Sequence, residues 1–379
     1  MTAKDEPSFS IGMEEEYLLI DPVSRDLVAE PPASLLSECQ DQLGGKAGPE
    51  FFRSQIEIDT PVSHSMAELR DNLIRSRQAV TSIANRHDLT IIAASTHPFA
   101  QWMPQKTTQR DRYQKLADDL GQPLRRLLIC ATHVHVGIED PDLRIDLMNQ
   151  ARYFLPHLLA LSTSSPFWQG RDTQLKSYRL AVFSEMPRTG IPEPLTSYSE
   201  FERHLAVLAQ TKVMDEGSKI WWDIRPSVRF PTLEMRICDI CTRLEDGLTI
   251  AAMYVCILRR LWRLRRMNAQ WRRYTTFLLN ENRWRAMRYG VEEGLIDFGR
   301  GEMVAYPDLL NELIDLVYED AEALGCVEEI ENARDIIKRG TSADQQLKIF
   351  RDARESGHDE QEALKAVVDW LANETQIGL

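Results

Sequence analysis

Residues 9–20 read FSIGMEEEYLLI, in which three consecutive glutamates interrupt an apolar segment. The apolar flanks predict a β-strand over Phe9–Ile20, followed by a proline-containing turn over Asp21–Asp26. Because a strand has a period of two, Glu14 and Glu16 face one side, about 7 Å apart, and Glu15 faces the other. The inward pair could bridge neighbouring divalent cations. A salt-bridged edge strand is the alternative.

Two further predicted strands place acidic residues between apolar neighbours. They contain SQIEIDTP at residues 54–61 and TLEMRICD at residues 232–239. Glu57 and Asp59 share a face of the first strand, and Glu234 and Arg236 share a face of the second. Three strands therefore present carboxylates inward, and such oxygen ligands suit Mg²⁺ with substrate phosphates. The planar guanidinium of Arg236 suits a phosphate oxygen.

A histidine pair lies in HVHVG, residues 133–137, within a predicted strand over Leu127–Ile138. His133 and His135 share one face of that strand. They could bind zinc, but the inward carboxylates and the lack of a nearby thiolate favour a hard metal, with histidine as a secondary ligand or a phosphate contact. A metal-dependent amidohydrolase acting without ATP remains an alternative, as does a non-catalytic binding protein on the same fold.

A polar segment runs from Leu161 through SSPFWQGRDT to Arg179 and is rich in hydroxyls and cations. This composition is typical of a loop that holds a small polar substrate, which makes Ser165 and Thr173 candidate contacts. An ordinary solvent loop is the alternative. The chain contains no P-loop and no Rossmann fingerprint, so any ATP site must be of another kind.

Periodicity indicates an α+β core followed by a helical C-terminal part. The remaining predicted elements are a strand over Ser54–Asp59, a helix over Met66–Arg86, a strand over Leu89–Ala94, a helix over Leu143–Leu161, a strand over Val228–Ile240 and mostly helix from Arg243 onward. We expect a single catalytic domain over residues 1–379, with an α+β core at 1–300 and an acidic helical extension at 301–379.

The net charge of −13 is concentrated near the C-terminus, where residues 301–379 contain 19 acidic and 7 basic residues. Residues 257–288 contain ten arginines at near-helical spacing with apolar residues. We interpret them as an amphipathic helix whose arginines face solvent or pair with the acidic segment, and we expect no nucleic-acid partner.

Six scattered cysteines predict reduced thiols. The CxxC formed by Cys238 and Cys241 is interpreted as two half-buried thiols, because no second pair follows it. Apolar runs of about 18 residues and a signal peptide are absent, so we expect a cytoplasmic protein without a membrane partner.

Six motifs taken together resemble the bacterial glutamate–cysteine ligase type 2 family of carboxylate–amine ligases. They are GMEEE at 12–16 followed by Asp21-Pro22, SQIEIDTP at 54–61, HVHVG at 133–137, SSPFWQGRDT at 164–173, TLEMRICD at 232–239 and ENRWRAMRYG at 281–290. The motifs occur in the order expected for the family and span nearly the whole chain.

The resemblance implies a glutamine-synthetase-like fold, in which helices back a curved, mainly antiparallel sheet lined with acidic residues. It implies that ATP phosphorylates a carboxylate and that an amine then displaces the phosphate, with glutamate and cysteine as the usual pair. ATP and Mg²⁺ are the expected cofactors, amino acids the expected substrates and a homodimer the expected assembly.

The resemblance also assigns roles to individual residues. The expected metal ligands are Glu14, Glu16, Glu50, Glu57 and Glu234. The expected nucleotide-binding residues are His133, His135 and Arg236, and the expected catalytic residues are Arg236 and Glu57. Arg179 is expected to bind a substrate carboxylate, beside Ser165 and Thr173. We expect the loop from Ser164 to Arg179 to exclude water from an acyl phosphate.

Overall fold

A computed structural model of the protein describes residues 6–214 and 217–379 and has an α+β architecture, as predicted. The strands are β1 (Ile11–Ile20), β2 (Ala47–Pro49), β3 (Gln55–Asp59), β4 (Thr90–Ile92), β5 (Thr132–Gly137), β6 (Phe167–Trp168), β7 (Arg171–Asp172), β8 (Thr189–Gly190), β9 (Trp221–Trp222), β10 (Ile224–Pro226), β11 (Thr232–Met235), β12 (Leu295–Asp297) and β13 (Glu302–Val304). The helices are α1 (Ala33–Gln42), α2 (Met66–Arg86), α3 (Asp111–Leu120), α4 (Gln122–Arg125), α5 (Pro141–Ala151), α6 (Leu155–Ser162), α7 (Arg179–Phe183), α8 (Tyr198–Gln210), α9 (Leu244–Arg266), α10 (Thr276–Tyr289), α11 (Tyr306–Leu324), α12 (Val327–Arg339), α13 (Ser342–Glu355) and α14 (Glu360–Thr375).

The main sheet has seven strands in the order β10-β11-β5-β1-β3-β2, with β4 also paired to β1. Every strand pair in it is antiparallel. The glutamate-bearing strand β1 lies near the middle, between β5 and β3. Strands that are far apart in the chain therefore meet on either side of Glu14 and Glu16.

One face of the sheet is apolar and packs against the long helices α2 and α9. Met13 and Tyr17 point to this face from β1 and are almost fully buried. Helix α2 begins where Ser65 caps it, with the hydroxyl accepting a hydrogen bond from the Glu68 backbone N–H. Because the helices cover one face, the acidic residues of the opposite face are left to line a cavity.

Glu15, the middle glutamate of β1, lies within the helix-covered face and is fully buried with Arg77 of α2. Arg77 donates from Nε and Nη2 to the two carboxylate oxygens of Glu15, at 2.8 and 2.7 Å. Its Nη1 donates to the Thr242 carbonyl at 2.9 Å, and the Tyr17 hydroxyl also donates to Glu15. The pair is thus charge-balanced and well hydrogen-bonded, as a buried ion pair requires.

The arginine-rich segment forms two helices, α9 and α10, instead of one. Of the two arrangements expected for its arginines, pairing with the acidic segment is observed for two residues of α9. Arg259 and Arg263 of α9 both contact the buried Asp320 of α11 at 2.8–2.9 Å. Farther along, the Gln346 side chain of α13 donates to the Ser164 carbonyl at 2.9 Å. The C-terminal helices therefore pack directly on the core, whereas the division at residue 300 stays a prediction.

Several predicted elements are shorter in the structure than in the sequence analysis. The strand predicted over Val228–Ile240 forms a continuous ladder only at β11, and beyond it an isolated bridge joins Asp239 to Ala131. The helix predicted over Leu143–Leu161 is two helices, α5 and α6. Pro156 cannot donate a backbone hydrogen bond and instead occupies the first turn of α6. None of the described helices is long and apolar enough to cross a membrane.

Candidate active site

The strand register brings the predicted acidic residues onto one face of the sheet. The cross-strand partners are Glu16 with Glu57, Glu14 with Asp59, Glu14 with His133, and Glu234 with His135. Side chains directly opposite each other on one face of a sheet lie close together. Four strands therefore contribute carboxylates and imidazoles to one continuous patch.

This patch forms the floor of a cavity of about 390 Å³. The cavity contains every predicted metal-binding and nucleotide-binding residue, together with Arg179. Three groups of side chains place ligand atoms within 4.8 Å of one another: Glu14, His135 and Glu234; Glu14, Glu57 and Asp59; and Glu16, Glu50 and Glu57. Asp59, which shares a strand face with Glu57, was not among the predicted metal ligands.

Glu14 lies at the centre of the cavity floor and is held by both histidines. His133 Nδ1 and His135 Nε2 donate to its two carboxylate oxygens at 2.8 and 3.1 Å. Burial alone would raise the pKa of Glu14, but these hydrogen bonds hold it well below its usual value. Burial and the nearby Arg236 lower the pKa of His133 to about 4. Glu14 is therefore ionised at neutral pH beside a neutral His133.

The acidic residues at the other end of the floor have raised pKa values, unlike Glu14. They are Glu16, Glu50 and Glu57. Burial and the charge of Glu50 raise the pKa of Glu16 to about 8. Burial, together with Glu50, Glu14 and Glu16, raises the pKa of Glu57 well above its usual value. Buried carboxylates placed this close hold protons, because burial and their mutual repulsion outweigh the attraction of Arg179 and Arg236 for Glu16. A bound divalent cation would remove that penalty.

At the end of the floor that contains Glu14, His135 and Glu234, two arginines balance the charge of Glu234. Arg225 donates from Nε to Glu234 at 2.8 Å, and Arg236 Nη1 also donates to Glu234. Although burial opposes ionisation, Arg236, His135 and Arg225 leave the pKa of Glu234 far below its usual value. The Arg236 Nε is buried without a hydrogen-bond partner. That nitrogen is an unused donor with almost no surface exposed to solvent.

The donor set fits magnesium better than zinc. Carboxylate oxygens provide all ligands of two clusters and two of the three ligands in the cluster containing His135. Hard oxygen donors are what Mg²⁺ prefers, and it commonly completes its coordination with water and substrate phosphates.

The structure does not bring Ser165 and Thr173 to the cavity. The Ser165 hydroxyl donates to the buried Asp239 at 2.7 Å, and the Thr173 hydroxyl donates to the Pro166 carbonyl at 2.9 Å. The Ser165 hydroxyl therefore holds the loop to the core, and the Thr173 hydroxyl holds the backbone of the loop itself. In the structure these two residues have an internal structural role and lie apart from the other predicted site residues.

Arg179 does line the cavity, but both of its terminal nitrogens are engaged. They donate to the backbone carbonyls of Ile237 and Arg236 at 3.1 and 3.0 Å, whereas Nε has no hydrogen-bond partner. The observed contacts brace the backbone that carries Arg236. A substrate carboxylate would have to use the Nε of Arg179.

The elements that cover the cavity differ from the predicted loop. Helix α3 contributes Tyr113, and the segments around β9 and β10 contribute Lys219, Arg225 and Phe230. Lys219 lies 3.8 Å from Asp119, which connects α3 to the segment before β9. Sequence reasoning missed these residues because no local pattern marks them. The tertiary structure places Arg225 in the cavity, where it pairs with Glu234 on the neighbouring strand.

Comparison with known sequences finds one family over almost the whole chain. The profile of the family described as Glutamate-cysteine ligase family 2 (GCS2) matches residues 10–369. A relative from Rhodospirillum rubrum is 54% identical over 374 residues, which cover 98% of this chain and 96% of the relative. A relative from Jannaschia sp. is 52% identical over 371 residues, which cover 98% of each protein. Both relatives carry the provisional name glutamate–cysteine ligase 2.

Two solved structures share the fold at low sequence identity. A glutamate–cysteine ligase from Francisella tularensis, solved with AMP, has a TM-score of 0.69 at 12% identity and covers 98% of this chain and 90% of its own. A bifunctional glutathione synthetase from Pasteurella multocida has a TM-score of 0.66 at 16% identity and covers 96% of this chain and 52% of its own. The fold predicted from the motifs is thereby confirmed.

Proposed function

Because this chain belongs to glutamate–cysteine ligase family 2, we propose that it is an ATP-dependent ligase that joins the side-chain carboxylate of glutamate to an amine, with cysteine as the first amine to test. The observation that carries the proposal is the acidic floor of the cavity, where three ligand groups lie beside Arg236. Such a floor suits a polyphosphate bound through divalent cations.

The cavity divides into two functional ends. His133, His135, Glu234 and Arg236 form the end proposed to bind nucleotide phosphates. Glu16, Glu50 and Glu57 form the end proposed to receive the carboxylate. Glu14 connects the two ends, because it belongs to the ligand group of the nucleotide end and also to a group with Glu57 and Asp59. Glu57 in turn belongs to the group at the carboxylate end. The ATP γ-phosphoryl group and the substrate carboxylate would therefore meet above Glu14 and Glu57.

In the first step, a carboxylate oxygen of the substrate attacks the γ-phosphorus of ATP and the bond to the β-phosphate oxygen breaks, which yields an acyl phosphate and ADP. Arg236 stabilises the charge on the transferring group through a donor that is already oriented and dehydrated. Arg179 holds the backbone of Arg236 in place. Bound Mg²⁺, held by Glu14, Glu16, Glu50, Glu57 and Glu234, would neutralise the triphosphate.

In the second step, the amine nitrogen attacks the acyl carbon, the carbon–oxygen bond to phosphate breaks, and inorganic phosphate leaves as the amide forms. Water would compete with the amine for the acyl phosphate. We assign water exclusion to α3 and the segment before β9, since these elements line the cavity and are connected by Lys219 and Asp119. With this assignment, water exclusion does not require the loop from Ser164 to Arg179 to move.

The test is ADP and phosphate release by the purified protein with ATP and Mg²⁺, with glutamate and a panel of amines supplied singly and in pairs. Mass analysis identifies the amide. Release that needs both glutamate and an amine supports the proposal. Substrate panels that give neither ADP nor amide would refute it.

We further propose a cytoplasmic location, supported by six free and buried cysteines, since disulfides are rare where thiols are kept reduced. Burial raises the pKa of both Cys238 and Cys241, which fits inert structural thiols. The homodimer stays a prediction from the resemblance. Sedimentation velocity would measure it directly.

A further inference from the structure

A second cavity, of about 670 Å³, lies beside the candidate active site. We call it the outer chamber and define it by residues 51–53, 102–109 and the α3–α4 region that line it. Phe51 and Tyr113 line both cavities. Their rings pack edge to face with centroids 5.9 Å apart. These two rings therefore form the partition between the outer chamber and the active site.

The wall of the outer chamber is tied to the carboxylate end of the active site. The Thr108 hydroxyl donates to the Glu50 carbonyl at 2.6 Å, and the Thr108 backbone N–H donates to the Phe51 carbonyl at 2.8 Å. The Tyr113 hydroxyl donates to the Pro49 carbonyl at 2.8 Å. A molecule in the chamber would therefore reach the active site next to Glu50, away from the proposed nucleotide end.

The outer chamber carries excess positive charge. Arg53, Lys106 and Arg125 line it, and Glu30 is the one acid among its described lining residues. Glu30 lies 3.9 Å from Arg53. Across residues 6–214 and 217–379, Lys106 and Arg125 form no ion pair within 4.0 Å. Cations that lack partners and face a concave space favour an anionic ligand group.

Building on the proposed ligase function, we propose that the outer chamber binds the anionic far end of the amine substrate. Its volume lies within the range of about 300–1,000 Å³ that encloses drug-sized ligands, which is more room than a single small amino acid needs. The acceptor is therefore an amine larger than cysteine that ends in an acidic group. A short peptide with a free C-terminal carboxylate is the simplest example.

The experiment compares cysteinylglycine with its C-terminal amide, which keeps the amine and the thiol but lacks the carboxylate. Binding to the full chain without ATP is measured by calorimetry, and KM is measured in the ligation assay with ATP, Mg²⁺ and glutamate. The variants are K106A/R125A and, as a matched control, R351A, which removes an exposed arginine of α13 outside both cavities.

We expect the wild type and R351A to bind the acid about tenfold more tightly than the amide, as one charge-assisted contact would provide. In K106A/R125A the preference should disappear, because the acid loses affinity and the amide does not. Equal binding of acid and amide by the wild type, or an equal loss of both in the double variant, would overturn the proposal. Selective binding of the acid, together with a panel of amines that gives neither ADP nor amide, would support the chamber and refute the ligase function instead.

Discussion

Glu14 divides its two carboxylate oxygens between two histidines and also belongs to two of the three ligand groups. A cation bound by either of these two groups must therefore share Glu14 with an imidazole. Because the pKa of His133 is lowered to about 4, this histidine donates to Glu14 without adding positive charge at neutral pH. The arrangement keeps Glu14 ionised and oriented without blocking a metal electrostatically.

Glu57 is the residue whose loss should affect chemistry most selectively. Glu57→Gln keeps the shape of the side chain and removes a charge that burial already disfavours. We expect turnover to fall by about 100-fold or more, with the fold retained. Steady-state ADP release and circular dichroism measure the two effects. Glu202→Gln, an exposed glutamate on α8, is the control, and normal turnover in E57Q would contradict the assignment of Glu57.

Arg236 tests whether guanidinium geometry matters or charge alone is enough. Arg236→Lys keeps the positive charge but loses the Nε donor, which has no partner in the protein. We expect kcat to fall by about 100-fold and the KM for ATP to change much less, because the contact strengthens in the transition state. Arg171→Lys in exposed β7 serves as the matched control. Wild-type kcat in R236K would show that a point charge is sufficient.

At the scale of elements, the Glu15–Arg77 pair links the sheet to α2 on the face opposite the active site. Arg77→Ala would leave a fully buried carboxylate without its cation. We expect a loss of about 3–5 kcal/mol in unfolding free energy, measured by urea denaturation.

The control for this change lies on the same helix. Arg86 pairs with Glu38 on the surface, so Arg86→Ala should cost no more than about 1 kcal/mol. If both variants lost similar stability, the buried pair would not be the main connection between β1 and α2.

At the scale of the whole molecule, the excess of acidic residues in the cavity should make the free energy of unfolding depend on pH. The pKa of Glu16 is about 8 in the folded protein and 4.5 as its ordinary value. A raised carboxyl pKa stabilises the fold at low pH, and that stability is lost as pH rises through the folded value. Between about pH 7 and pH 8.5, the unfolding free energy of the metal-free protein should fall by about 1 kcal/mol through Glu16.

Thermal or urea unfolding in chelator at these two pH values measures the effect. Glu16→Gln should flatten the pH dependence, because the variant has no proton to lose at this position. Mg²⁺ should stabilise the wild type more at the higher pH, where it no longer competes with the proton. An unchanged slope in E16Q would show that another group controls the pH dependence.

Local chemistry allowed much of this protein to be predicted from its sequence. The period of two in a strand predicted that Glu14 and Glu16 share one face of β1 and that Glu15 lies on the other. The helix over Met66–Arg86 was predicted with its observed bounds. Six short motifs indicated the family and its fold. These features depend on neighbours a few residues apart, so the amino-acid order by itself contained the information.

The tertiary structure decided which distant groups meet. It paired Glu15 with Arg77 and Glu234 with Arg225, and it used the Ser165 hydroxyl inside the core rather than at the cavity. It also assigned the covering role to α3 and the segment before β9. Such contacts depend on strand register and helix packing between residues far apart in the chain, and no local pattern encodes them.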